Sequence, residues 1–299
     1  MMRVGRVFFN ILIVFFSGFF LLYMFWARAV EKDHSASGGM SEETLDYFVS
    51  RGLLPRRDAA EMSWSHAVNS RKSLAEALTG PTHMIEADVL IRGREPREPI
   101  MAHPPDTDSD ITLREWLESV KDHDNKGIKL DFKSLEALSP SLLLLHELLV
   151  PGRPVWINAD ILPGPGGWSQ PLDARSFISV VSVLRLDTVL SLGWTTGWKA
   201  GGENPGYSWE MVHQMEELCR NLQHDITFAV RAALLSSSAP QLTWLLQQSD
   251  RFSLTVWTGK SDEFPLEDLL PFRKQFNVSR IYYDLPQSWR TQLCSAPED

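Results

Sequence analysis

Cysteine is scarce in this chain of 299 residues, which contains only Cys219 and Cys294. Two cysteines allow at most one bridge, so a disulfide-rich scaffold is excluded. The GxGxxG and P-loop signatures of nucleotide sites are also absent. Basic residues are outnumbered, with 29 Lys and Arg against 38 Asp and Glu and a formal net charge of −9. Nucleic acid is therefore not an expected partner, because its phosphates require clustered basic side chains.

Formal charge is also missing from residues 8–27, a stretch long enough to cross a bilayer as a helix, which follows Arg3 and Arg6. We predict a signal-anchor or transmembrane segment within residues 1–30, and hence a single-pass membrane protein with its folded part on the lumenal or extracellular side. Small residues around Ala29 leave cleavage and secretion as the alternative.

Residues 31–43 are polar and contain Gly and Ser, which predicts a linker before a folded region at residues 44–299. In that region eight short apolar runs alternate with segments that carry helix signals. The runs lie at residues 62–68, 83–91, 127–133, 154–161, 187–194, 225–232, 251–259 and 279–285. This number and alternation predict an α/β fold, a (β/α)8 TIM barrel, although a doubly wound sheet would give a similar pattern.

Three helix starts are indicated between the runs. Thr112 and Glu115 have the spacing of a capping box, and Ser208 precedes an amphipathic stretch. Ser139-Pro140 is expected to open a Leu-rich helix, because proline is tolerated in the first turn.

Two acids, Glu86 and Asp88, interrupt the apolar run at residues 83–91. Alternate residues of a strand share a face, so both carboxylates point the same way, and like charges side by side are costly without a cation. Asp131, in the next run, can converge on the same point. These oxygen ligands predict one hard divalent cation, Mg2+ or Ca2+. The alternative is ion pairing with Lys129, Lys133 or Arg92 at the barrel rim.

Two histidines flank these acids: His66, at the end of the first run, and His103, in the connection after the second. An imidazole can accept or donate a proton, so the pair is a candidate general acid and base. Lys133 could hold a phosphate oxygen or serve as a counter-ion to the acids. Asn158 and Trp257 lie near the ends of two other runs. They could contact a substrate, or they could simply pack at the rim.

The segments SHAVNS, IEADVLI, MAHPP and KLDFKS together resemble the phosphodiesterases of the phospholipase C-like barrel superfamily, which includes glycerophosphodiester phosphodiesterases and sphingomyelinase D-type enzymes. The chain is still more similar to the menorin family, whose members share WSHAVNS, EADV, a His-Pro pair and VWINADILPGPG. This resemblance covers almost all of residues 41–290.

The resemblance implies metal ligands at Glu86, Asp88 and Asp131, an acid/base pair at His66 and His103, and a phosphate-side lysine at Lys133. The sequence departs from the glycerophosphodiesterase pattern where Ala67 follows His66 and where Pro104 follows His103. Asn69, three residues after His66, is nearer the sphingomyelinase D-like branch and is a candidate phosphate-side or substrate-side residue.

We therefore expect a metal-dependent phosphodiesterase that hydrolyses or cyclises a phosphodiester, such as a glycerophosphodiester or a lysophospholipid. The expected partners are a small or lipid phosphodiester and, through residues 8–27, a membrane. The alternative is a catalytically weak or inactive barrel that acts as an extracellular ligand for a protein receptor.

Overall fold

The folded part of the chain is described by a computed structural model for residues 42–295. The predicted membrane segment within residues 1–30 lies outside the described residues, as does most of the predicted linker. The first described helix begins at Glu42, so the last two residues of the predicted linker are helical. Among residues 42–295, no helix is both long enough and apolar enough to span a bilayer.

The described residues contain nine strands, eight of which fall on the predicted apolar runs. The strands are β1 (Trp64–Ser65), β2 (Met84–Ile91), β3 (Pro99–Met101), β4 (Gly127–Phe132), β5 (Val155–Pro163), β6 (Thr188–Thr195), β7 (Ile226–Arg231), β8 (Phe252–Trp257) and β9 (Ile281–Asp284). Eight run parallel in the order β1-β2-β4-β5-β6-β7-β8-β9. A doubly wound sheet would reverse its strand order part-way, and this one does not. The fold is a near-closed, TIM-like α/β barrel.

Two strands differ from the expectation. β3 is an additional short strand that pairs antiparallel with the end of β2, as a hairpin on the rim. β1 is only two residues long, although the apolar run spans residues 62–68. The chain leaves the sheet after β1 because Ala67 has a φ of 54°, which no strand residue adopts.

Helices separate the strands of the barrel. They are α1 (Glu42–Ser50), α2 (Arg71–Thr79), α3 (Leu113–Val120), α4 (Leu135–Leu148), α5 (Ala174–Val181), α6 (Trp209–Cys219), α7 (Ala239–Gln247), α8 (Leu270–Gln275) and α9 (Gln287–Ser295). The predicted capping box of Thr112 and Glu115 begins α3, and Ser208 caps α6.

The prediction that Ser139-Pro140 opens a helix is wrong. Helix α4 begins at Leu135, and Pro140 lies inside it. The earlier start buries Ala137 and Leu138 completely or nearly so against the strands. This burial offsets the backbone hydrogen bond that Pro140 cannot donate.

Two large apolar regions shape the part of the barrel that the structure describes. The larger one fills the space between the strands and the surrounding helices. The smaller one occupies the lower end of the barrel interior, where Met84, Trp156, Val189 and Tyr282 pack against Phe48 of α1. We call this the lower layer. It closes the end of the barrel at which the strands begin, and it leaves the opposite end, the mouth, for polar side chains.

Side chains reinforce the junction between β1 and β9. In the segment before β1, the carboxylate of Asp58 accepts hydrogen bonds of 2.8 and 2.6 Å from Arg273 of α8, and both side chains are buried. Arg290 of α9 also donates to the carbonyl of Met62. A buried bidentate pair fixes its partners' positions more than it stabilises the fold, so we regard the Asp58–Arg273 pair as a geometric link across this junction.

Candidate active site at the barrel mouth

Strand alternation and register bring the predicted acids together. Glu86 and Asp88 of β2 point into the barrel, and Asp88 lies in register with Asp131 of β4. Asp131 in turn lies in register with Asn158 of β5. Glu86 lies opposite Lys129, one step deeper. Because parallel strands end at the same edge, these side chains face one another at the mouth.

We call Glu86, Asp88 and Asp131 the carboxylate trio. Each of them offers one carboxylate oxygen, and these three oxygens all lie within 4.8 Å of one another. Oxygens bound at about 2.4 Å to one Ca2+ lie up to about 4.8 Å apart, and those around Mg2+ lie slightly closer together. Carboxylates are the hard ligands that these cations prefer. The trio therefore fits one hard divalent cation.

Lys133 lies beside two members of the trio. Its Nζ donates to Asp131 Oδ2 at 2.6 Å and lies 3.1 Å from Asp88 Oδ1. The lysine thus acts as an internal counter-ion. Arg92, the other rim cation considered for this role, instead pairs with Glu98 and Asp108, outside the trio.

Burial and charge affect the members of the trio differently. Burial raises the pKa of Glu86 to about 7, helped by the neighbouring charges of Asp88 and Asp131. Burial also opposes ionisation of Asp131, yet the ammonium groups of Lys133 and Lys129 outweigh it and hold the pKa of Asp131 below its usual value. The lysine ammonium groups thus offset only part of the cost of holding the three carboxylates close together. Perturbed pKa values of this kind are common at functional sites.

His66 lies at the mouth beside the trio. Its Nδ1 forms a hydrogen bond of 2.8 Å with Asp284 Oδ2, at the end of β9, and lies 3.5 Å from Glu86 Oε2. The Glu86 carboxylate and the hydrogen bond to Asp284 outweigh burial and raise the pKa of His66 to about 9. With Nδ1 engaged, Nε2 is the ring nitrogen available to a substrate.

The backbone after His66 also serves this site. Ala67, whose φ is positive, donates its backbone N–H to Glu86 Oε2 at 2.7 Å. A left-handed conformation costs a non-glycine residue about 1 kcal/mol or more, and such strain concentrates at functional sites.

Asn69 and Asn158 support the acids. Asn69 Nδ2 donates to Asp88 Oδ2 at 2.7 Å, and Asn69 Oδ1 accepts the backbone N–H of Asp88 at 2.9 Å. Asn158 is buried, and its Oδ1 accepts from Ser191 Oγ at 2.5 Å. Both residues lie where expected, and their contact with a substrate stays a prediction.

The structure does not bring His103 into contact with the trio. His103 is exposed after β3, and its Nδ1 bonds the carbonyl of Pro104 at 2.6 Å. Its neighbour Ala102 nevertheless donates to the backbone carbonyl of Asp88 at 3.1 Å, which places His103 on the rim beside the site. Trp257 ends β8, and the guanidinium of Arg231 lies 5.3 Å from its ring centroid.

Lys129 is the residue that sequence reasoning underestimated. It was considered only as an ion-pair partner at the rim, but it is 4% exposed within the barrel and interacts electrostatically with His66, Glu86 and Asp131. The available signal was its position two residues before Asp131, on the same face of the strand.

The family model of the menorin N-terminal domain matches residues 58–290. The chain belongs to the menorin family. Human Protein FAM151B is 51% identical over 251 residues, which cover 83% of this chain and 91% of that protein. The menorin resemblance expected from the sequence motifs is therefore confirmed.

The barrel is also similar to a solved structure, a putative glycerophosphoryl diester phosphodiesterase from Silicibacter pomeroyi. That structure has a TM-score of 0.50 and 11% identity, with 86% of this chain and 98% of that chain covered. At this identity the likeness concerns the fold alone. The menorin barrel thus shares its fold with this bacterial structure.

Proposed function

We propose that this protein is a phosphodiesterase that depends on one divalent cation, Mg2+ or Ca2+. The observation that carries the proposal is the convergence of the carboxylate trio beside His66 and Lys133 at the barrel mouth. The phosphodiesterase-like fold and the description of the bacterial neighbour support it.

The trio would hold the cation, which neutralises phosphoryl charge when bound. Lys133, whose compact ammonium group lies beside the trio, would hold a phosphate oxygen. His66 would move a proton at its Nε2, with Asp284 fixing the ring through Nδ1. His103 is proposed as the second proton-transfer group, because it lies on the rim beside Asp88.

The substrate would be a small or lipid phosphodiester. Attack by water would give hydrolysis, whereas attack by a neighbouring substrate hydroxyl would give a cyclic phosphate. A lipid substrate is supported by the uncharged stretch at residues 8–27, through which we propose attachment to a membrane, with the barrel on the lumenal or extracellular side. Cleavage near Ala29 would instead release a secreted form.

The test is turnover by the purified full chain on glycerophosphodiesters and lysophospholipids, with Mg2+, Ca2+ or EDTA. Phosphorus NMR of the products separates hydrolysis from cyclisation. We expect turnover that EDTA abolishes and that His66→Asn lowers by about a hundredfold or more, the usual scale for a lost general acid or base.

The matched control is Asp250→Asn, which changes a fully exposed carboxylate and should leave turnover at the parental level. No cation-dependent turnover on any of these esters would contradict the proposal. It would favour the alternative, in which the barrel has no catalytic activity and acts as a ligand for a protein receptor.

A further inference from the structure

Asp160 is a mouth carboxylate that the proposed mechanism does not use. It lies on β5 and shares the inward face with Trp156 and Asn158. Its register partner on β6 is Gly193, and a Cβ built on Gly193 would lie 2.3 Å from Asp160 Oδ1. The carboxylate therefore leans across the backbone of β6, on the side of the mouth away from β2.

Asp160 differs from the other acids of the mouth in its hydrogen bonding. Glu86 accepts from the Ala67 backbone, Asp88 from Asn69, Asp131 from Lys133, and Asp284 bonds His66. Among residues 42–295, no donor forms a hydrogen bond with the Asp160 carboxylate. Burial, with the nearby charge of Asp131, raises the pKa of Asp160 to about 7. Asp160 is only half-buried, so a donor on a ligand that enters the mouth can reach its carboxylate.

Small residues on the neighbouring strands accommodate the Asp160 carboxylate. The inward positions next to Asp160 around the barrel are Gly193 and then Ala229 of β7, the two smallest side chains available. Lys133, the proposed phosphate-side lysine, is close enough to Asp160 for their charges to interact. A group attached to a phosphate held by Lys133 would therefore lie within reach of Asp160.

We propose that the Asp160 carboxylate, which leans over Gly193, forms a subsite for a hydrogen-bond donor of the substrate, a hydroxyl or an ammonium N–H carried a few bonds from the phosphate. This subsite rests on the proposed phosphodiesterase function and adds to it the polar group that the enzyme would select.

The test is calorimetric binding to the full chain in the presence of Ca2+, with three phosphomonoesters. Methyl phosphate has no donor beyond the phosphate, 2-hydroxyethyl phosphate adds a hydroxyl, and phosphoethanolamine adds an ammonium group. We expect at least one donor-bearing ester to bind about tenfold more tightly than methyl phosphate, the scale of one charge-assisted hydrogen bond.

Two variants and one control locate the effect. Asp160→Asn should remove the preference for the ammonium and retain part of that for a hydroxyl, because an amide oxygen still accepts. Gly193→Ala, whose new Cβ displaces the carboxylate, should lower both preferences. All variants should bind methyl phosphate as the parent does. Asp250→Asn, on the exposed surface, should leave every affinity unchanged.

The outcomes separate the two proposals. If the parent binds methyl phosphate but shows no preference for either donor, or if the preference survives in both Asp160→Asn and Gly193→Ala, the subsite is wrong while the proposed function stands. If the parent binds none of the three esters with Ca2+ present, the phosphate site is wrong, and the subsite that depends on it is wrong too.

Discussion

The two ends of the barrel interior are built from the same strands but differ in chemistry. At the lower end, Met84 of β2 and Trp156 of β5 lie in an apolar layer under α1. Four residues further along the same strands, Asp88 and Asp160 face the mouth. The lower layer has few polar groups to satisfy, whereas the mouth holds acids that need cations or donors. Stability and chemistry are thus separated along the strands, so substitutions at the two ends should have different effects.

The largest effect is expected from Trp156→Ala in the lower layer. Trp156 is buried, packs edge-on against Tyr282 at 4.9 Å, and donates to Thr44 Oγ1 at 3.1 Å. Its loss should lower the free energy of unfolding by about 3–5 kcal/mol, measured by urea denaturation, and should leave cation affinity unchanged. Trp168→Ala, at a side chain that is 91% exposed, is the matched control and should change stability by less than about 0.5 kcal/mol. Equal costs for the two variants would contradict the comparison.

The next effect is expected from Asp131→Asn at the mouth. This variant removes one ligand of the trio, so cation affinity should fall by about a hundredfold, at least as much as the loss of a supporting residue around a metal. The metal-free protein should keep most of its stability, because a repulsion between buried acids is removed along with the Lys133 pair. Calorimetric titration with Ca2+ and Mg2+ measures the change. Parental affinity in Asp131→Asn would show that the cation binds elsewhere.

A smaller effect of opposite sign is expected from Lys133→Met. Because the Lys133 ammonium bonds Asp131 and lies beside Asp88, it competes with a cation for the same oxygens. Its removal should tighten cation binding by about tenfold and should lower the melting temperature of the metal-free protein. Lys72→Met, at an exposed lysine of α2, should change neither quantity. Weaker cation binding in Lys133→Met would mean that the lysine supports the site rather than competing for it.

The sequence was sufficient to predict the barrel and the clustering of the three acids at its mouth, because both depend on strand periodicity. Alternation put Glu86 and Asp88 on one face, and the order of the runs put Asp131 on the neighbouring parallel strand. Position along the strand also separated the lower layer from the mouth, since apolar residues begin most runs and polar residues end them.

The remaining features depend on tertiary contacts that periodicity does not report. Helix α4 begins at Leu135 because its first turn is buried. This burial outweighs the preference of Pro140 for the first turn of a helix. The bond between His66 and Asp284 joins residues 218 positions apart, so no local pattern indicates it. The rim position of His103 follows from the unpredicted hairpin of β3.

The smallest predicted effect concerns pH. The Glu86 carboxylate and Asp284 raise the pKa of His66 to about 9 in the folded state, above its ordinary value of 6.5. The stabilisation from protonated His66 is therefore fully present below pH 6.5 and is lost as pH rises toward 9. Urea denaturation in EDTA should show a decrease of about 1 kcal/mol from pH 6.5 to 8.5, modest because the side chain is 57% exposed to screening solvent. His66→Gln should remove most of this slope. A stability that rises over this range would contradict the assignment.

Anomalous diffraction can show whether the carboxylate trio forms one cation site at the mouth. Mn2+ prefers the same oxygen ligands as Mg2+ and gives a measurable anomalous signal. In crystals of the protein soaked with Mn2+, the strongest peak should lie among the carboxylates of Glu86, Asp88 and Asp131, and it should disappear in Asp131→Asn. A map without a peak at the trio, or one whose peak persists in Asp131→Asn, would show that the trio does not form the cation site.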